Sequence, residues 1–308
     1  MKYLVEKVIK GQKYYYLQYH NKTTLLGRSI PDGLKSRLLD FFEKIAEENT
    51  GHIPETVKEN FPFKNLTGLE KKHFFYLCLS QSELFSGEYR DFLVWFSVLF
   101  TYNSNRAEGS KVSEPEIEKY IFSKKRIPKT RTDREIFNSY HALKFAMSKQ
   151  MKWNPKHIRH VHHLLLQGME DSLIIGKWKN ENNTAPGNQP TADFKSVPEQ
   201  MKKLLAWLNA EIKKKHYPPL LALQFYTRFE KIHPFLDGNG RVGRILLNAI
   251  LNRFKYMPVI FFTENHKAHC EALRQALDGS GRPKKFNLHF LEQAEKTFKL
   301  LKEKIQLK

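Results

Sequence analysis

The chain has 308 residues, enough for one large core or two smaller ones, and its 41% hydrophobic and 13% aromatic content excludes a disordered protein. Lysine and arginine outnumber aspartate and glutamate by 52 to 32. The resulting charge of +20 draws polyanions, but the basic residues are dispersed along helical stretches, so a solvated surface is the simpler reading. Two cysteines, Cys78 and Cys270, lie in apolar or helical runs, which excludes a disulfide scaffold and points to a reducing compartment.

Met1-Lys2-Tyr3 leads into no apolar stretch of signal-peptide type. The longest apolar run, Phe92 to Phe100, is broken by Ser97 and too short for a bilayer, so a cytoplasmic location away from membranes is expected. Tyr3-Leu4-Val5 and Tyr14-Tyr15-Tyr16-Leu17, separated by Lys10-Gly11-Gln12, read as a hairpin. From Pro31 the period becomes helical through Leu34, Leu38, Phe41, Phe42 and Ile45, ending near Asn49-Thr50-Gly51. A second helix carries Phe74, Phe75, Leu77 and Cys78. A third starts near Glu88 and runs through Trp95, Phe96 and Leu99 toward Ser104 and Glu108, with Gly109 as its stop. Ser113-Glu114-Pro115-Glu116 has the form of a capping box. Lys124-Lys125-Arg126, with Lys129 and Arg131, reads as an exposed connector without the interleaved aromatics of a nucleic-acid surface.

Helices follow from Glu135 to Gln150 and from Pro155 to Gln167. The latter spaces His157, His160 and His163 by three, a pattern in which a metal site must be weighed. With no cysteine or carboxylate among them, ordinary helix packing is the better reading. Asn180, Asn182, Asn183, Pro186, Gly187 and Pro190 make the segment from Gly176 to Val197 a loop or hairpin of the kind that covers a substrate. Helical periodicity returns at Met201, Leu204, Leu205, Leu208 and Ile212. It continues in Leu220–Phe229, Ile245–Phe254, His266–Leu277 and Asn287–Ile305, with Met257–Phe262 as one short extended run.

His233-Pro-Phe-Leu-Asp-Gly-Asn-Gly-Arg-Val-Gly-Arg244 gathers an imidazole, a carboxylate, a glycine-lined turn and two guanidiniums at the start of a helix. Gly238-Asn239-Gly240 can turn backbone N–H groups, and the positive end of the helix dipole, toward an anion. Arg241 and Arg244, three apart, project from one face and suit bidentate grip on phosphates. Carboxylates are poor bases at neutral pH, so Asp237 is the candidate ligand for Mg²⁺ beside phosphate oxygens. His233 is the candidate general base. Gly238, Gly240 and Gly243 also spell the dinucleotide fingerprint, but a helical period precedes them and no βαβ alternation surrounds them, so that reading is rejected.

The same twelve residues match the signature of the Fic (Fido) family, H-P-F-x-D-G-N-G-R-x-x-R, without a mismatch. Glu135, Ile136, Asn138, Ile158, Val161, His162 and Leu165 also fit family positions, and the resemblance covers about the last two-thirds of the chain. It implies a mainly α chain: a Fic-type helical bundle, a short β-hairpin flap and an N-terminal hairpin and helical extension. The division expected is 1–87 for the extension and 88–308 for the catalytic core. The resemblance implies transfer of AMP from ATP to a Tyr, Ser or Thr hydroxyl of a target protein. His233 would act as base, Asp237 would hold Mg²⁺, and Gly238, Asn239, Gly240, Arg241 and Arg244 would hold phosphates. Ser104-Asn105-Arg106-Ala107-Glu108-Gly109 resembles the family's inhibitory motif, [S/T]-x-x-x-E-[G/N], on a helix expected at about 100–109. Glu108 would pair with Arg244 in the γ-phosphate's place. Self-modification and a homodimer are open by analogy with the family.

Two features depart from the family pattern. The prolines of the flap are separated, and no tyrosine precedes Ala272-Leu273, where relatives contact adenine. An alternative keeps the site and reverses the task, with Glu108 aligning water to remove AMP. A basic nucleic-acid-binding protein is the alternative from another class, and the absence of an appended recognition motif argues against it.

Overall fold

The computed structural model describes residues 4–19, 22–31, 37, 89–123, 127–170, 174–185, 188–214, 218–277 and 283–306. The two helices expected between Pro31 and Cys78, the basic run Lys124–Arg126 and the 87/88 boundary lie outside these residues.

The expected N-terminal hairpin is present as β1 (Leu4–Ile9) and β2 (Gln12–Tyr19), closed by Lys10-Gly11 with both residues at positive φ. A third strand, β3 (Lys22–Gly27), was not expected; it pairs with β2 to give the antiparallel order β1-β2-β3. Leu4 faces Leu17 across the first pair, Leu17 is fully buried, and the β2–β3 register shifts between Tyr15 and Tyr16.

The rest is helical. The elements are α1 (Tyr89–Arg106), α2 (Glu114–Phe122), α3 (Arg131–Ala146), α4 (Pro155–Leu166), α5 (Val197–Lys213), α6 (Pro218–Ile232), α7 (Asn239–Arg253), α8 (His266–Leu277) and α9 (Pro283–Gln306). A two-residue hairpin, β4 (Thr184–Ala185) with β5 (Gln189–Pro190), interrupts them. Local chemistry sets several starts. Glu116 Oε2 accepts the Ser113 N–H at 2.8 Å, which is half of the expected capping box of α2. Thr130 caps α3 by accepting the Asp133 N–H at 2.9 Å, four residues or so earlier than the start expected from periodicity. Asn154 caps α4 with Pro155 in its first turn. Among the described residues no helix is long and apolar enough to cross a membrane.

α7 is the helix on which the others close. It packs on α6 and also meets α1, α3 and α4, and Val242 through Leu251 are buried without a break. A helix buried all round needs partners on every face, which fixes its position tightly. α8 pairs with α9, and α9 reaches back to α1. Met257–Phe262 is extended but has no partner strand among the described residues. Its backbone is satisfied by buried side chains instead. Asn248 Oδ1 accepts the Val259 N–H at 2.7 Å and Asn248 Nδ2 donates to Val259 O at 2.9 Å. Thr297 Oγ1 and Gln293 Oε1 accept the N–H groups of Ile260 and Phe262.

Candidate active site

α6 and α7 are joined by the loop from His233 to Gly238. α6 ends in a last backbone bond from His233 N–H to Phe229 O at 2.8 Å, after which Pro234 prevents continuation. His233 has φ 51°, uncommon for a side-chain-bearing residue, so the surroundings must hold it. They do so through the loop backbone. Asn239 Oδ1 accepts the Phe235 N–H at 2.9 Å while Asn239 Nδ2 donates to Phe235 O at 2.7 Å; Asn183 Nδ2 donates to the same carbonyl at 2.8 Å. His162, from α4, stacks on the Phe235 ring with centroids 3.9 Å apart. Its Nδ1 accepts the Gly176 N–H at 2.9 Å, which puts its proton on Nε2, the atom 3.0 Å from Asp237 O. Burial, opposed by that backbone contact and the Asp237 charge, lowers the His162 pKa to about 4 and keeps the ring neutral.

The charged groups converge on the first turn of α7. Arg244 is buried; its Nη2 donates to Glu108 Oε1 at 2.7 Å and to Ser104 O at 3.0 Å, and its Nε donates to Ser104 Oγ at 3.1 Å. Burial opposes the Glu108 charge, but Arg244, then Arg241 and His266, outweigh it and hold the carboxyl below its usual range. Arg244 is likewise penalised by burial, yet Glu108 and Tyr226 push its pKa up. A Cβ built on Gly240 would lie 2.7 Å from Glu108 Oε1 and 3.0 Å from Arg244 Nη1, so a side chain there would displace the ends of this pair. The helix expected to carry Glu108 ends earlier, at Arg106; Glu108 sits in the following turn, closed by Gly109 at φ 88°. Arg241 turns to a different partner, Asp237, with Nη2 and Oδ2 3.0 Å apart.

These groups line a cavity of about 380 Å³. His233, Asp237, Gly238, Asn239, Gly240, Arg244 and Glu108 share its wall with Thr184, Ala185 and Asn188 of the flap and with His266, His269, Cys270 and Leu273 of α8. The flap is tied beneath by Lys179, 3% exposed. Its Nζ donates to Asn183 Oδ1 and Thr191 Oγ1, both at 2.7 Å, and its N–H reaches Pro234 O at 2.8 Å. Asp237, half-exposed at the cavity wall, is of the type that takes Mg²⁺ together with phosphate oxygens, and only its Oδ2 is engaged by Arg241.

Of the residues expected at the site, Ser104 lies behind Arg244 and the side chain of Asn239 is committed to Phe235, leaving its backbone to face the cavity. His157, His160 and His163 form no metal cluster; among the described residues there is none. His157 accepts the Lys152 N–H, and His160 packs edge-on to Phe145. Three residues escaped the sequence reading, Lys179, Tyr226 and Glu230, while His162 was named there only as fitting a family position. Tyr226, Glu230 and His233 are spaced by four and three, one helix face, and that spacing was the available signal. Tyr226 bonds His269 Nε2 at 3.1 Å, and burial, then Glu230, raises its pKa well above the usual value.

Comparison with known proteins agrees with this architecture. Residues 152–251 match the model of the Fic/DOC family. A relative from Drosophila ananassae, described as protein adenylyltransferase Fic, is 29% identical over 169 residues, 54% of this chain and 33% of its own length. One of the same description from Nematostella vectensis is 28% identical over 188 residues, 59% of this chain and 44% of that protein. The chain thus spans about a third to under half of the curated relatives it matches. Among solved structures, a Fic domain containing signaling protein from Bacteroides thetaiotaomicron superposes with a TM-score of 0.59 at 21% identity, covering 70% of this chain and 88% of that one. Fic-1 from C. elegans gives 0.60 at 21% identity, covering 89% and 74%. Residues 152–251 thus resemble a Fic/DOC-family domain, and the mainly α fold is the one these solved structures share.

Proposed function

We propose that this protein is an adenylyltransferase that moves AMP from ATP to a hydroxyl side chain of a target protein and is restrained by Glu108. One observation carries the reading: Glu108 and Arg244 form a 2.7 Å pair at the α7 N-terminus, in the wall of the cavity that also holds His233 and Asp237. A buried arginine over a helix start is a phosphate site, and here a carboxylate of the protein lies in it.

In this reading His233 takes the proton of the incoming hydroxyl, whose oxygen bonds to the α-phosphorus as the bond to pyrophosphate breaks. Backbone N–H groups of Gly238 to Gly240 face the phosphates, and Arg241 and Arg244 neutralise them. Asp237 would hold Mg²⁺, which supplies charge neutralisation at the phosphate oxygens. Glu108 keeps Arg244 from the γ-phosphate and adds a like charge, so ATP cannot settle in line. The chemistry needs no membrane and no nucleic acid.

The Glu108 side chain is also partly exposed within the cavity, which favours a second reading: removal of AMP with that carboxylate aligning water. Incubation with α-labelled ATP and Mg²⁺ tests the first. Label should accumulate on protein with Glu108→Gly and vanish when His233→Ala is added. If Glu108→Gly instead leaves transfer unchanged and abolishes release of AMP from modified protein, the second reading replaces it.

A further inference from the structure

The groups of the proposed reaction leave one buried carboxylate unused. Glu230, on α6 one turn before His233, is 1% exposed. Its Oε2 lies 3.3 Å from His233 Nδ1, and neither Glu230 Oε1 nor His233 Nδ1 has a hydrogen-bond partner among the described residues. Burying a carboxylate away from water is costly unless a cation or donor compensates it. The position is nevertheless enforced by the packing. A Cβ built on Gly243 would lie 2.5 Å from Glu230 Oε1 and 2.8 Å from Tyr226 Cε2, so the glycine of α7 leaves room for this carboxylate. The ring beside it is held in turn at φ 51°, a conformation that fixes where the imidazole starts from.

We propose that Glu230 is a positioning residue whose carboxylate accepts the Nδ1–H of His233 and so presents an unprotonated Nε2 to the cavity. The inference rests on the transferase reading of the site. A neutral imidazole carries one proton, and a carboxylate that accepts at Nδ1 selects the tautomer whose other nitrogen is a base. When Nε2 takes the hydroxyl proton the ring becomes a cation 3.3 Å from an anion, and the two charges compensate each other inside the protein. In the uncomplexed protein the contact is longer than an ideal bond, as catalytic contacts are before substrate arrives. Arg244 and Glu108 also face this end of the cavity, but they are paired with each other.

The first readout needs no substrate. In protein labelled with ¹⁵N-histidine, the ring resonances lost in His233→Ala identify His233, and their shifts report which nitrogen holds the proton. The Nδ1–H form is expected in the parent, and the Nε2–H form there overturns the proposal. The second readout is kinetic. In the Glu108→Gly background, Glu230→Gln keeps the volume beside Gly243 but removes the charge. It should lower kcat for AMP transfer by about 100-fold or more while KM for ATP changes by less than about threefold. An unchanged kcat in a folded Glu230→Gln protein also overturns it. Should Glu108→Gly itself transfer no AMP, the transferase reading fails, whereas the tautomer of His233 still answers for Glu230.

Discussion

His162 ties three segments with one neutral ring, and acid should loosen them. The folded pKa of about 4 against a usual 6.5 means that the unfolded chain binds a proton in this range and the native state does not. Stability from this residue is therefore complete above the unfolded value and is lost as pH falls from about 6.5 toward 4. A shift of about 2.5 units corresponds to about 3 kcal/mol in full, of which about 2 kcal/mol disappears between pH ~7 and pH ~5. His266, His269 and His289 also have lowered values, so the parent's acid sensitivity alone does not isolate one ring. The comparison is with His162→Phe, which preserves stacking on Phe235 but leaves Asp237 O and Gly176 N without their partner. Urea unfolding of both proteins across that range should show a gap that is widest at neutral pH and narrows by about 2 kcal/mol toward pH ~5. A gap that stays constant would mean that His162 titrates normally in the folded protein and does not clamp the loop.

Asn248→Leu should cost about 2–4 kcal/mol, because it strands both the N–H and C=O of buried Val259; the fall would be read as a lower urea midpoint at unchanged slope. Gly243→Ala should destabilise by about 1–3 kcal/mol although alanine is the better helix former, since its methyl collides with Glu230 and Tyr226; a rise in thermal midpoint would contradict the packing described.

How far the sequence could be read depended on whether a feature was local. The His233–Arg244 run is contiguous, so its chemistry was legible before any fold, and the periods of α4, α5 and α8 followed from burial on one side of each helix. The dinucleotide reading of its glycines was properly rejected, since α6 precedes them, and Gly240 and Gly243 serve close contacts with Glu108, Glu230 and Tyr226. Features made by tertiary contact were not legible. Asn239 was expected at the anion site and does line the cavity, but that its side chain is spent on Phe235 follows from the turn's folded shape. Met257–Phe262 was read as a short extended run, as it is, but the sequence did not show that its partners are Asn248, Thr297 and Gln293 from two helices. β3 hides in Lys22-Thr-Thr-Leu-Leu-Gly, where paired threonines and paired leucines give no alternation to read. Glu230 shares a helix face with Tyr226 and His233, but its burial at 1% exposure is visible only in the fold.

The central claim is that Glu108 occupies a phosphate position and restrains transfer. Its most direct test is the initial rate of label transfer from α-labelled ATP and Mg²⁺ by Glu108→Gly relative to the parent, at equal protein and ATP. Losing a buried contact worth more than about 1.4 kcal/mol should raise that rate by at least about tenfold. Equal rates in two folded proteins would contradict it.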